Sequence, residues 1–302
     1  MSETYAIGSG GLTARISSLG AELVSLTDAS GAEWMTDGNP EVWSGRSPIL
    51  FPIVGELAGG KLRLDGAEYA LPRHGFARKR AFDCVSHDDD AALFRLSDDD
   101  DTRAVFPFAF DLDLHYAIED ATLAITATVR NTGESAMPFS IGFHPGFAWP
   151  LPGGGDKRDH SVRFFEREAG PIRRLDSDGL LCFFEDTPVV DRRIALHSGL
   201  FRADALIWDK LESRGLCYEG AVPEGEGASA AAIQMAFPDC PMLGIWQKPG
   251  ADFICLEPWA GHADPVGFDG DFHEKPGVME LEPGEERSFR VDITIRPAVT
   301  GD

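Results

Sequence analysis

Leu112-Asp113-Leu114-His115-Tyr116-Ala117-Ile118-Glu119-Asp120-Ala121-Thr122-Leu123-Ala124-Ile125-Thr126-Ala127-Thr128-Val129 decides the fold class. Leu112, Leu114, Tyr116 and Ile118 alternate with Asp113, His115 and Ala117. After Glu119-Asp120 the alternation resumes at Leu123, Ile125, Ala127 and Val129. Successive side chains of a strand point to opposite faces, so two such runs joined by a short acidic link read as a hairpin with one face on a core. His115 falls in the polar set and should face water. The chain closes the same way, with Phe289, Val291, Ile293 and Ile295 alternating after the turn Glu282-Pro283-Gly284-Glu285. Near the start, Leu12–Ile16 and Glu22–Leu26 flank a turn at Gly20. Long amphipathic helical patterns are absent, and 33 glycines with 20 prolines supply frequent turns. The expectation is an all-β protein, a large antiparallel β-sandwich. Strand patterns continue on both sides of the loops Pro152-Gly153-Gly154-Gly155-Asp156 and Pro223-Glu224-Gly225-Glu226-Gly227, so residues 1–302 read as one domain.

Composition narrows the partners. Of 302 residues, 43% are hydrophobic, enough for a substantial core, and the formal charge is -23. Such a surface repels nucleic acid and anionic membranes but says nothing against a small neutral ligand. Cys84, Cys182, Cys217, Cys240 and Cys255 are scattered, odd in number and without a C-x-x-C pair, which fits reduced thiols in a cytoplasmic protein. Met1-Ser2-Glu3-Thr4 shows no secretory signal, and no run is long and apolar enough to span a bilayer. A monomer and a homodimer fit equally well.

Three apparent motifs carry little. Gly55-Glu56-Leu57-Ala58-Gly59-Gly60-Lys61 has P-loop spacing, but Leu62 stands where a magnesium-binding Ser or Thr belongs and a strand follows instead of a helix. The acidic runs His87–Asp90 and Asp98–Asp101 bracket the strand Ala92–Leu96 and read as solvated turns, lacking the spaced ligands and distant Glu of a calcium loop. His262-Ala263-Asp264 has no companion His-rich motif, so no metal is expected there and the two polar residues read as loop positions bordering a site.

Phe253-Ile254-Cys255-Leu256-Glu257-Pro258-Trp259 carries more. Four apolar residues deliver a carboxylate, and Pro258, which cannot donate to a ladder, should end the strand near Glu257. That sets an acid at the rim of a core beside an indole, where its pKa would rise and suit it to proton transfer. His144, in Ile141-Gly142-Phe143-His144-Pro145, shows the same strand-end-then-proline pattern, and His74 sits between Arg73 and Arg78 with Gly75 and Phe76 behind it. Histidine titrates nearest neutrality, which suits a proton donor or acceptor.

Together, Gly20-Ala21-Glu22-Leu23, Pro48-Ile49-Leu50-Phe51-Pro52-Ile53-Val54-Gly55, His74-Gly75-Phe76-Ala77-Arg78, Gly142-Phe143-His144-Pro145 and Cys255-Leu256-Glu257-Pro258-Trp259 make the sequence resemble the aldose 1-epimerases, the galactose mutarotase-like proteins, and most of all their bacterial LacX-like branch. The motifs follow in order to the turn at Leu281–Glu285, so the resemblance covers nearly the whole chain. It implies a sugar site on the concave face of the sandwich, at which α and β anomers of a hexose interconvert by ring opening and closure. On this pattern Glu257 is the base, His144 the acid and His74 the assistant at the ring oxygen, with neither metal nor cofactor required. Asp204 sits where related mutarotases hold sugar hydroxyls, with Asp209 as competitor. Arg46 resembles a sugar-binding arginine, although Ser47 replaces the asparagine that follows it in the galactose enzymes, which puts galactose itself in doubt. Trp259 and Trp246 could stack on a pyranose or simply fill the core. Arg78 and Lys248 could meet a phosphate. The alternatives to a free-hexose mutarotase are a hexose-6-phosphate mutarotase, which predicts an arginine cluster around the pocket, and a non-catalytic carbohydrate-binding protein. A glycosidase would need a second carboxylate, and only one acid is well placed.

Overall fold

The computed structural model describes residues 2–301. The hairpin predicted above is present, with Phe110–Glu119 pairing antiparallel to Thr122–Asn131 across the two-residue link Asp120-Ala121. Leu112, Leu114, Tyr116 and Ile118 are buried together with Leu123, Ile125, Ala127 and Val129, whereas His115 is exposed. Glu286–Arg296 lies on the other side of Thr122–Asn131, so the closing strand is a neighbour of the central hairpin. These strands belong to a nine-stranded sheet, and an eight-stranded sheet packs against it. The contact is seen in the Phe164 and Trp208 rings, 5.3 Å apart between centroids, and in the Tyr218 hydroxyl, which donates to the Ala148 carbonyl at 2.9 Å. The result is a large antiparallel sandwich, with a three-stranded sheet from Thr4–Ser9, Leu12–Ser17 and Glu22–Thr27 beside it.

The eight-stranded sheet positions the site. Its central strand, Phe253–Ala260, has Met242–Trp246 on one side and the broken pair Ile141–Phe143 and Gly146–Ala148 on the other. The expectation that this strand ends near Glu257 is wrong, because it runs on through Pro258 and Trp259 to Ala260. Alternate residues of a strand turn their backbone groups to the same neighbour. Leu256 donates to the Pro145 carbonyl on the broken side, so the donor that Pro258 lacks would point that way too, toward Phe143, the last residue before the break. The proline therefore costs this strand none of its ladder bonds to Met242–Trp246, only one on the side where the neighbouring strand breaks off. Both faces of this strand are buried, which explains its unbroken apolar run. Ile254 and Leu256 enter the core between the sheets, and Cys255, Glu257 and Trp259 face the other way.

All five cysteines are free, with Cys217, Cys240 and Cys255 buried. No helix of the described residues is long and apolar enough to cross a membrane.

Candidate active site

Strand register brings the two main candidates together. Gly142 lies opposite Trp259 and Gly146 opposite Cys255, and one register runs through both pairings. His144 therefore lies across from Glu257, with both side chains on the same face of the sheet. Nε2 of His144 stands 3.2 Å from Oε2 of Glu257. Trp43 stacks on the imidazole at 5.1 Å between centroids, and the His74 ring meets it edge-on at 5.8 Å. All three titratable residues are buried.

His74 is held in an unusual backbone state. Its φ of 66° lies in the left-handed region, as does that of Asp204 at 63°. Such conformations are costly for residues with a Cβ and gather at functional sites. The Gly55 N–H donates to His74 Nδ1 at 3.0 Å, which makes Nδ1 an acceptor. Burial, followed by His144, Arg73 and Arg78, pushes the His74 pKa well below the usual histidine range, so the ring is neutral. Its proton then resides on Nε2, and the side chain offers a donor.

The acid and the second histidine are driven apart in charge. Burial, helped by Arg78 and Arg73, pushes His144 down to about 3. Burial, reinforced by Asp204 and opposed by Arg73, raises Glu257 well above the usual carboxylate range. The pair thus holds one proton near neutral pH, and burial favours keeping it on Glu257 instead of creating two buried charges.

These groups line a cavity of about 220 Å³ together with Trp43, Trp246, Trp259, Arg73, Arg78 and Asp204. Trp259 forms part of the wall. Its indole lies over the glycines of both neighbouring strands, for a Cβ on Gly142 or Gly244 would come within 2.5 Å of it. Asp204 reaches the cavity, whereas Asp209 pairs instead with Arg173 at 3.0 Å. Lys248 donates to the Val42 carbonyl at 2.7 Å and is outside the lining.

Arg46, expected as a sugar contact, lies away from the cavity. Its guanidinium donates to the carbonyls of Val24 and Asp37, and it does not line the cavity. Arg73 lines the cavity, although the sequence marks it only as a neighbour of His74. Arg78 also lines the cavity and donates to the Arg73 carbonyl at 2.8 Å. Nε of each arginine is buried without a hydrogen-bond partner, and neither forms an ion pair among the described residues. Trp43 was missed altogether, because it lies in a loop with no periodic pattern to mark it. His262 and Asp264, expected as bordering loop residues, are buried behind the wall, and Ala263 between them touches the cavity.

His144, Cys255 and Glu257 bring possible ligand atoms within 4.8 Å of one another, the one such group among the described residues. The chemistry of this set suits a metal poorly. Burial and the Glu257 charge push the Cys255 thiol well above its usual range, and Glu257 itself favours its protonated form.

The sequence profile of the aldose 1-epimerase family matches residues 3–174. Protein LacX (plasmid form) of Lactococcus lactis subsp. lactis is 30% identical over 299 residues, covering 94% of this chain and 96% of that protein. Among solved structures, a galactose mutarotase related enzyme from Lactobacillus acidophilus is 31% identical, with 99% of each chain covered and a TM-score of 0.88. A galactose mutarotase-like protein from Lactobacillus casei is 29% identical, covers 97% of this chain and 100% of its own, and has a TM-score of 0.86.

Proposed function

Because this chain belongs to the aldose 1-epimerase family, we propose that it interconverts the α and β anomers of a hexose by acid–base opening and closure of the ring. The observation that carries this reading is the buried contact of His144 Nε2 with Glu257 Oε2 at 3.2 Å, facing a cavity that also holds His74.

Opening the ring breaks the C1–O5 bond, removes the proton of the C1 hydroxyl and places a proton on O5. In the ion-paired form, the Glu257 carboxylate takes the hydroxyl proton and the His144 imidazolium supplies the one for O5. The sugar is then an open aldehyde, Glu257 is protonated and His144 is neutral. That neutral form is the state burial favours, and it is also the state that closes the ring, with each proton retracing its path. Rotation about C1–C2 between the two steps exchanges the anomers. The His74 Nε2–H acts as a fixed donor toward the ring oxygen. Only proton transfers are involved, and each well-placed group contributes about 10²–10⁴-fold in rate. Asp204 supplies an acceptor for sugar hydroxyls, and Trp259 and Trp246 supply apolar faces for the ring.

A second reading, an aldose bearing an anionic group such as a 6-phosphate, is favoured by Arg73 and Arg78. Two partly buried guanidiniums beside one another, without a direct anionic partner, make a cavity wall suited to phosphate. The test of both readings is anomer exchange, followed by polarimetry and by NMR across free and 6-phosphorylated hexoses. Acceleration for free sugars supports the first reading, and a preference for phosphorylated ones supports the second. No acceleration with any of them would overturn catalysis and leave sugar binding.

A further inference from the structure

Behind the cavity lies a charged pair that the proposed reaction does not use. Lys275 has a fully buried side chain, and its Nζ stands 3.2 Å from Oδ1 of Asp264, which is itself 2% exposed. Neither atom has another polar partner among the described residues. Burial pushes the Lys275 pKa down, and Asp264 opposes that shift. A buried pair of this kind costs much of its own attraction in desolvation, so its presence calls for a reason other than stability.

The contacts of Asp264 supply one. Its Oδ2 accepts the Ala58 N–H at 2.8 Å, and its own N–H donates to the Glu56 carbonyl at 2.8 Å. One residue earlier in the chain, Ala263 presses on Gly55, where a Cβ would come within 2.5 Å of the Ala263 Cβ. Gly55 has a φ of 79°, so glycine is needed there both for its conformation and for this close approach. The segment 55–58 is therefore clamped to 263–264. The same Gly55 holds His74 from both sides, its N–H donating to Nδ1 at 3.0 Å and its carbonyl accepting the His74 N–H at 2.8 Å.

We propose that Asp264, held by Lys275, is a positioning residue that fixes the 55–58 segment so that Gly55 locks His74 in the Nε2–H tautomer facing the cavity. Lys275 keeps the carboxylate oriented, Oδ2 anchors Ala58, and the Gly55 N–H then leaves His74 no other place for its proton. Neither Asp264 nor Lys275 lines the cavity, so their effect reaches substrate only through His74. The kinetic part of this inference rests on the proposed anomer exchange. The tautomer part does not.

The test compares two double variants of the full chain. Asp264→Asn with Lys275→Met removes both charges and keeps an oxygen for Ala58. Asp264→Leu with Lys275→Met removes that oxygen as well. Imidazole ¹⁵N shifts of His74 should show a protonated Nε2 and a bare, hydrogen-bonded Nδ1 in the wild type and in the asparagine variant. The leucine variant should show mixed tautomers, with kcat lower by about 10-fold and KM little changed, the pattern of a misplaced catalytic group. Should the leucine variant fail to fold, Asp264→Ala in the same background removes the acceptor with less bulk. A folded variant without the acceptor that keeps both the wild-type tautomer and the wild-type kcat would overturn the proposal. So would a fall in kcat with the tautomer intact. If the wild type accelerates no anomer exchange, the proposed function fails, and the ¹⁵N comparison still decides the role of Asp264.

Discussion

A proton shared between His144 and Glu257 has consequences for pH that a free histidine would not have. In the proposed reaction the pair acts while it holds one proton. It gains a second only as pH falls toward the His144 value of about 3, and it loses the first only as pH rises through the elevated value of Glu257. The rate profile of anomer exchange should therefore be flat through neutrality, without the inflection near pH 6.5 of an ordinary imidazole. A clear limb centred there would contradict the shared-proton state. Glu257→Gln and His144→Ala should each reduce the rate by about 10²–10⁴-fold while the circular dichroism spectrum stays that of the wild type. Arg73 and Arg46 invite a direct comparison. Arg73→Met should raise KM for a 6-phosphorylated hexose by about 10–100-fold, the worth of one charge-assisted hydrogen bond. Arg46→Met should leave KM unchanged, since that guanidinium is committed to the Val24 and Asp37 carbonyls. Sequence alone favoured Arg46 and passed over Arg73 because both are arginines near the right motif, and only the path of the chain decides which side chain faces inward.

At the scale of elements, the Phe253–Ala260 strand organises the site. Its cavity face presents Glu257 and Trp259, and glycines on both neighbouring strands make room for the indole. Gly244→Ala should put a methyl group into the Trp259 ring and destabilise the fold by about 1–3 kcal/mol, the usual cost of overpacking. Chemical denaturation checks the loss of stability. Tryptophan fluorescence checks the displacement, and an unshifted spectrum with unchanged stability would show that the indole has slack. The elements themselves were legible to different degrees. The hairpin Phe110–Asn131 was plain, because a half-buried strand writes its two faces into alternate residues. The end of Phe253–Ala260 is not legible in the sequence, because a proline removes one ladder bond on one side and a strand paired on both sides runs on through its other neighbour. That second neighbour, Met242–Trp246, is a matter of how the chain returns to the sheet and leaves no mark beside Pro258.

For the whole molecule, the buried neutral histidines couple stability to acid. In the unfolded chain His144 takes up a proton near its ordinary value of about 6.5, whereas in the native protein it waits until about 3. The folded pKa lies below the unfolded one, so below pH 6.5 the unfolded state binds more protons at this site and the His144 contribution to native stability falls, whereas Glu257, raised in the native state, contributes in the opposite sense. Between pH 7 and pH 5, His144 should account for a loss of about 2 kcal/mol, and His144→Gln should be free of it. Urea denaturation at the two pH values measures this difference. An identical pH dependence in wild type and variant would mean that His144 is charged in the native state.

The amino-acid sequence determined the all-β class, the main hairpins, and the identities of His74, His144 and Glu257 as candidates, because local periodicity and short ordered motifs are properties of neighbouring residues. That Asp204, Arg73 and Trp259 line the cavity while Asp209 and Arg46 do not, and that Gly55 anchors His74, emerges only in three dimensions. Each depends on which segments meet across the sheets and on which polar groups are already satisfied there, and chain-distant packing leaves no periodic trace in the residues that take part.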